Sequence, residues 1–178
     1  MRIAVFTPYL PYPPDTGGKI RSYHLLRALT DRFEVDLYTV YYGEGPPQTV
    51  VEGLREHCRE VTLLQLKKSW RTRDRLRRVL APLPRPAEHF HTPDSLAQAR
   101  SYLESRGYDL LVADEICMTP YAELAPWLPK ITIRHKVDYM HYRQMAAARR
   151  FGQEKILDLI EAVKMRRYSR SKMHLYQG

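Results

Sequence analysis

Three short stretches of the 178-residue sequence carry side chains that could do chemistry together. The first is Gly17-Gly18-Lys19-Ile20-Arg21, preceded by Asp15-Thr16. The second is the adjacent acids Asp114-Glu115, and the third is His135. Asp15 and Thr16 are N-cap residue types, so a helix is predicted to begin there, and the amides of its first turn have no partner within the helix. Two glycines let another group come close to that bare turn, and Lys19 and Arg21 add positive charge. A helix start of this kind is an anion site, so a phosphate or a sugar is the expected occupant. Asp114 and Glu115 accept hydrogen bonds, and the ring nitrogens of His135 can donate or accept them.

The flanking sequence indicates what must position these groups. Ile3-Ala4-Val5-Phe6 is an unbroken apolar run stopped by Pro8, which predicts a strand buried on both faces of a parallel sheet. Pro8 to Thr16 is a stiff loop with prolines at 8, 11, 13 and 14. Further strands are predicted at Phe33–Val40, Val61–Leu66, Tyr108–Glu115 and Lys130–Arg134. Helices are predicted at Gln48–Arg59, with Val51, Leu54 and Arg55 at helical spacing, and at Asp94–Arg106, capped by Asp94 and stopped by Gly107. Others are predicted at Met118–Ala125, at Tyr139–Arg150, and at Gln153–Tyr168 with Ile156, Ile160 and Val163 as its apolar stripe. Pro82 to Pro93 reads as an irregular connector.

Alternating strands and helices predict an α/β fold: a Rossmann-like, doubly wound parallel sheet in a three-layer α/β/α arrangement. With strand order 3-2-1-4-5, the order reverses between the first and fourth strands. Ligands of such sheets gather at the carboxyl ends of strands beside that reversal. Thr7–Gly18 and Asp114–Glu115 then face each other across one crevice, with His135 at the end of the fifth strand. Asp114 also has an alternative role as cap of the helix that follows it. His24, in mid-helix beside Leu25, reads as a packed residue.

Composition sets wider bounds. Residues 1–172 suffice for one domain, and 173–178 read as a tail or a truncated final strand. A formal net charge of +9 predicts attraction to anions without choosing among nucleotides, lipid surfaces, acidic glycans and nucleic acid. Nucleic acid ranks last, because no stacking aromatics stand among the arginines. Lys67–Arg85 carries eight basic residues and one acid, Asp74. It reads either as an amphipathic helix on an anionic membrane or as a solvated face covering a sheet edge. Cys58 and Cys117 form neither a disulfide framework nor a metal spacing, and His89 with His91 lacks a completing ligand set. No metal is expected. The start of the chain does not read as a signal peptide, and no apolar run is long enough to span a membrane. A cytoplasmic setting is expected, with peripheral contact at the inner face of the membrane as its extension.

The motif Pro13-Pro14-Asp15-Thr16-Gly17-Gly18-Lys19-Ile20-Arg21 after the first strand, Tyr108-Asp109 opening the fourth, and His135-Lys136-Val137-Asp138 together resemble the N-terminal domain of glycosyltransferase family 4. That retaining group has the two-domain GT-B fold, and the resemblance covers residues 1 to 172. It implies the acceptor-binding half of a hexosyltransferase that moves a sugar from a nucleotide-diphosphate-sugar, its co-substrate, to a glycan, lipid or small-molecule acceptor in cell-envelope or exopolysaccharide synthesis. It places Gly17, Gly18, Lys19 and Arg21 near the diphosphate or acceptor and His135 against the transferred sugar. Glu115 and the Pro8–Asp15 loop, with Tyr12 and Asp15, are implied in the acceptor pocket, as is Asp138. No carboxylate is implied as a nucleophile. Lys136 and Asp138 depart from the usual asparagine and glutamate of the family.

The donor-binding C-terminal domain of that family is not in the sequence. It is expected either in cis, in a longer enzyme from which this domain is cut, or on a partner chain. The isolated chain is expected to be inactive. A stand-alone, non-catalytic module for nucleotides or sugars is the alternative function.

Overall fold

A computed structural model describes residues 1–66 and 79–176. The basic stretch Lys67–Arg85 therefore falls mostly outside the described residues. Five parallel strands form the sheet among the described residues: β1 (Arg2–Thr7), β2 (Glu34–Tyr42), β3 (Glu60–Leu66), β4 (Leu110–Asp114) and β5 (Lys130–Ile133). Their order is β3-β2-β1-β4-β5, so the reversal supposed between the first and fourth strands is present. β1 is the central strand, pairing with β2 through Ile3–Val35 and Val5–Leu37 and with β4 through Val5–Val112.

The apolar run of β1 divides by pleat between the two faces. Ile3 and Val5 point into a cluster with Leu26 of α1 (Gly17–Thr30) and with Val51 and Leu54 of α2 (Gln48–Arg55). Ala4 and Phe6 point the other way, toward α4 (Pro93–Arg106) and α5 (Thr119–Ala122). Phe6 is stacked between Tyr38 at 4.6 Å and Tyr121 at 5.2 Å, ring centre to ring centre. The result is a Rossmann-like three-layer α/β/α sandwich.

A third cluster closes the carboxyl end of the sheet. It joins Ala87 of α3 (Arg85–His89), Ile116 after β4, and Met165 and Tyr168 of α7 (Gln153–Lys172). α6 (Asp138–Ala148) contributes Tyr139 and Tyr142.

Several expectations need correction. The connector Pro82–Pro93 contains α3, whose Pro86 sits in the first turn, where its missing amide hydrogen is not needed. The cap of α4 is Thr92 rather than Asp94: Thr92 and Ser95 form a reciprocal capping box, because Pro93 holds Thr92 extended. Gly107 ends that helix in the left-handed conformation, as the sequence indicated. Helix α2 stops at Arg55, and the short helix after β4 is divided into a 3-10 turn at Ile116–Met118 and α5. Residues Met173–Leu175 form a 3-10 turn and not a strand. Tyr176 then hydrogen-bonds Thr119 at 2.7 Å.

The apolar face of α7 is also not the predicted one. Leu157, Ala162, Met165 and Tyr168 are buried, together with Asp158 and Glu161, while Ile156 and Val163 are exposed. The two acids fix that orientation: Glu161 accepts the backbone amide of Arg85 at 2.9 Å, and Asp158 pairs with Arg149 at 2.8 Å. Burying those carboxylates without partners would cost several kcal/mol each, so the partners and not hydropathy decide the face.

Candidate functional site

Strand β4 ends at Asp114, which is completely buried beside the point where strand order reverses. A bare carboxylate there would be costly, and two side chains from distant parts of the chain satisfy it. Ser22, on the inward face of α1, donates its hydroxyl hydrogen to one carboxylate oxygen. His135, just beyond β5, places Nε2 2.7 Å from the other. Tyr9, from the proline-rich loop, reaches Ser22 with its hydroxyl at 3.3 Å. Asp114 is therefore the anchor of the site. It does not cap the helix after it.

His135 is held on its other side by Arg21, whose Nη1 lies 2.7 Å from Nδ1. A guanidinium has only donors, so Nδ1 must accept, and the ring proton is on Nε2, where it is donated to Asp114. Arg21 and Ser22 are successive residues of α1. Their side chains diverge, one to the solvent side of the histidine and the other to the buried carboxylate. One turn of helix thus grips both partners of the His135–Asp114 pair. The first free amides of α1 and the Arg21 cation lie at the same end of the sheet, which favours an anion there.

The glycine pair is explained differently at its two positions. Neither glycine takes a positive φ. A Cβ at Gly18 would stand 2.8 Å from the Tyr9 hydroxyl, so Gly18 makes room for the residue that bonds Ser22. A Cβ at Gly17 would meet nothing within 4 Å, leaving open space above the helix start. Thr16 occupies the N-cap position but its side chain makes no capping bond. Asp15 pairs with Lys19, 2.9 Å away, on the same exposed turn.

Beside this centre lies a cleft of about 440 Å³ between the Pro8–Tyr9 loop, α3, the β4 and β5 ends, α6 and α7. Phe90, Tyr142 and Met145 give it apolar walls, and Glu115, Lys136 and Asp138 supply charge. Glu115 adopts a left-handed backbone (φ 80°), a conformation uncommon for a residue with a side chain. Burial lifts its carboxyl to about 7, with help from the negative charges of Asp138 and Asp114 and against Lys136 and Arg134. Asp138 is buried, its nearest cation Arg134 is 3.7 Å away, and its Oδ2 makes no hydrogen bond among the described residues. Asp138 is thus left with hydrogen-bonding capacity at the cleft. Cys117 also lines it, but burial holds its thiol well above the usual range, so it stays protonated.

The structure brings together most of the residues singled out from sequence. His135 and Arg21 touch, and Glu115 and Asp138 share the cleft. Tyr12 lies elsewhere: its ring covers Gly53 of α2 and packs 5.8 Å from Tyr23, on the far side of α1. His24 is exposed, edge-on to Tyr23, and not packed in the core. Ser22 and Tyr9 were not foreseen. The available signal for Ser22 was its place four residues before the buried Leu26, on the helix face that meets the sheet. No family model matches the chain, and no curated protein matches it.

Proposed function

We propose that this chain is the acceptor-side half of a retaining GT-B glycosyltransferase, with a donor-binding domain supplied in cis or by a partner chain. The contact between Arg21 and His135 carries the reading. It sets a cation and a hydrogen-bonding ring side by side at the carboxyl edge of the sheet, next to a cleft lined by the carboxyl groups of Glu115 and Asp138. A nucleotide-diphosphate-sugar offers each group a partner of matching chemistry. Its phosphates suit Arg21 and the open start of α1, and its sugar hydroxyls suit His135.

Transfer breaks the bond from the anomeric carbon to the diphosphate oxygen and forms one to the acceptor oxygen. The acceptor proton leaves with the diphosphate. In this reading Arg21 stabilises the charge that builds on the leaving phosphate, and leaving Nδ1 for that phosphate frees the ring nitrogen for the sugar. Asp114 and Ser22 hold the ring in place. Glu115 and Asp138 accept hydrogen bonds from the acceptor hydroxyls, whose ring carbons lie against Phe90 and Tyr142.

The test is to offer the full-length protein a panel of nucleotide-diphosphate-sugars with candidate glycan, lipid and small-molecule acceptors, and to measure release of nucleoside diphosphate. Consumption of at least one donor, dependent on acceptor, is expected. Binding of a donor without consumption would favour a non-catalytic sugar-nucleotide module. No binding and no consumption would end the glycosyl-transfer reading.

A further inference from the structure

The outward face of α7 has a composition that a helix exposed only to water does not need. Its solvent side begins with Ile156, Leu159 and Val163, which are 46%, 46% and 54% exposed. Phe151, in the turn leading into the helix, is 88% exposed. The same side then continues as Arg166, Arg167 and Arg170, all exposed. The acids of the helix point away: Asp158 and Glu161 are buried, and Glu154 lines the cleft. Positions 156, 159, 163, 166, 167 and 170 follow one another at helical spacing, so they share a single face about 20 Å long. One half is aliphatic, the other half is arginine, and the face carries no acid.

We propose that this face of α7 docks the protein on an anionic lipid surface. The aliphatic half, with Phe151 ahead of it, would enter the boundary between headgroups and acyl chains, and the arginines would lie along the headgroup phosphates. Charge complementarity selects this occupant over the others. A second copy packed across a two-fold axis would set the arginines of each chain against the aliphatic half of the other and cover those charges with no acid to pair them. A nucleic acid would suit the arginines but gains nothing from Ile156, Leu159 and Val163, which cannot stack on bases. The helix lies on the bilayer rather than in it, since no helix among the described residues is long and apolar enough to cross a membrane. None of these six residues lines the cleft, and the proposal stands whether or not the chain transfers sugar.

Co-sedimentation of the full chain with phosphatidylcholine vesicles, with and without phosphatidylglycerol, tests the proposal. Binding only to the phosphatidylglycerol vesicles, weakened by added salt, is expected. Two variants divide the face: Ile156→Ser/Leu159→Ser/Val163→Ser and Arg166→Gln/Arg167→Gln/Arg170→Gln. All six positions are exposed, so folding should survive, and circular dichroism checks it. Each variant should lower vesicle affinity by about tenfold or more. Wild-type affinity in both variants would overturn the proposal and move any binding to the 67–85 stretch. Absence of wild-type binding would also overturn it. So would a wild-type dimer that the serine variant dissociates, because the face would then be a contact between copies.

Discussion

Arg21 and His135 are separated by 114 positions in the sequence, yet a guanidinium nitrogen of one lies 2.7 Å from Nδ1 of the other. The contact exists because β1 and β4 are neighbours, so that the helix following β1 and the loop following β5 open onto the same edge of the sheet. It has consequences for stability and ligand binding that can be measured separately.

Asp114 should be the most sensitive position of the site. Replacing it with alanine removes the acceptor of both Ser22 and His135 in a fully buried setting, with an expected cost of about 2–6 kcal/mol at about 1–3 kcal/mol for each stranded donor. Ser22→Ala leaves one carboxylate oxygen without its donor and should cost about 1–3 kcal/mol. Urea denaturation followed by circular dichroism measures both. Equal stability of Ser22→Ala and wild type would mean that the bond to Asp114 contributes nothing.

The glycine pair gives a paired prediction. Gly17→Ala meets open space and no positive φ, so it should be neutral or stabilising by up to about 1 kcal/mol. Gly18→Ala pushes on the Tyr9 hydroxyl and should cost about 1–2 kcal/mol, with Tyr9 displaced from Ser22. Thermal melts of the two variants order them. A larger loss at Gly17 than at Gly18 would contradict the packing described.

Much of the fold and part of this site were legible in the sequence. The doubly wound parallel sheet followed from apolar runs alternating with helical segments, and the strand order observed is one of the few such a sheet adopts. The carboxyl ends of β1, β4 and β5 then had to converge, which made Arg21, Glu115 and His135 visible. The partners that fix them were harder to see. Ser22 acts through its helix face, and Tyr9 through the shape of a proline-rich loop, and neither has a pattern of its own. Tyr12, in that same loop, turned to the opposite side of α1. The orientation of α7 was misread because Ile156, Ile160 and Val163 are the stronger hydrophobes, whereas Asp158 and Glu161 had partners, Arg149 and the Arg85 amide, that only the tertiary structure provides.

Glu115 makes the stability pH-dependent in a definite direction. Its carboxyl is raised from 4.5 in the unfolded chain to about 7 in the fold, mainly by burial. Between those values the folded protein holds a proton that the unfolded chain has released, so stability falls as pH rises through the window. Glu115→Gln has no such proton to lose. Its melting temperature should match that of the wild type near about pH 4.5 and exceed it above about pH 7. Melting curves across the window that fall in parallel for the two proteins would rule out Glu115 as the source.

The central claim is that Arg21 and His135 belong to one transfer centre, and the most direct measurement is the sugar-transfer rate of the full-length protein with Arg21→Ala, His135→Ala and the double variant. With folding intact, each single change should lower kcat/KM by about tenfold or more, and the double variant should lose less than the product of the two, because the residues act together. Wild-type rates in both single variants would contradict the account.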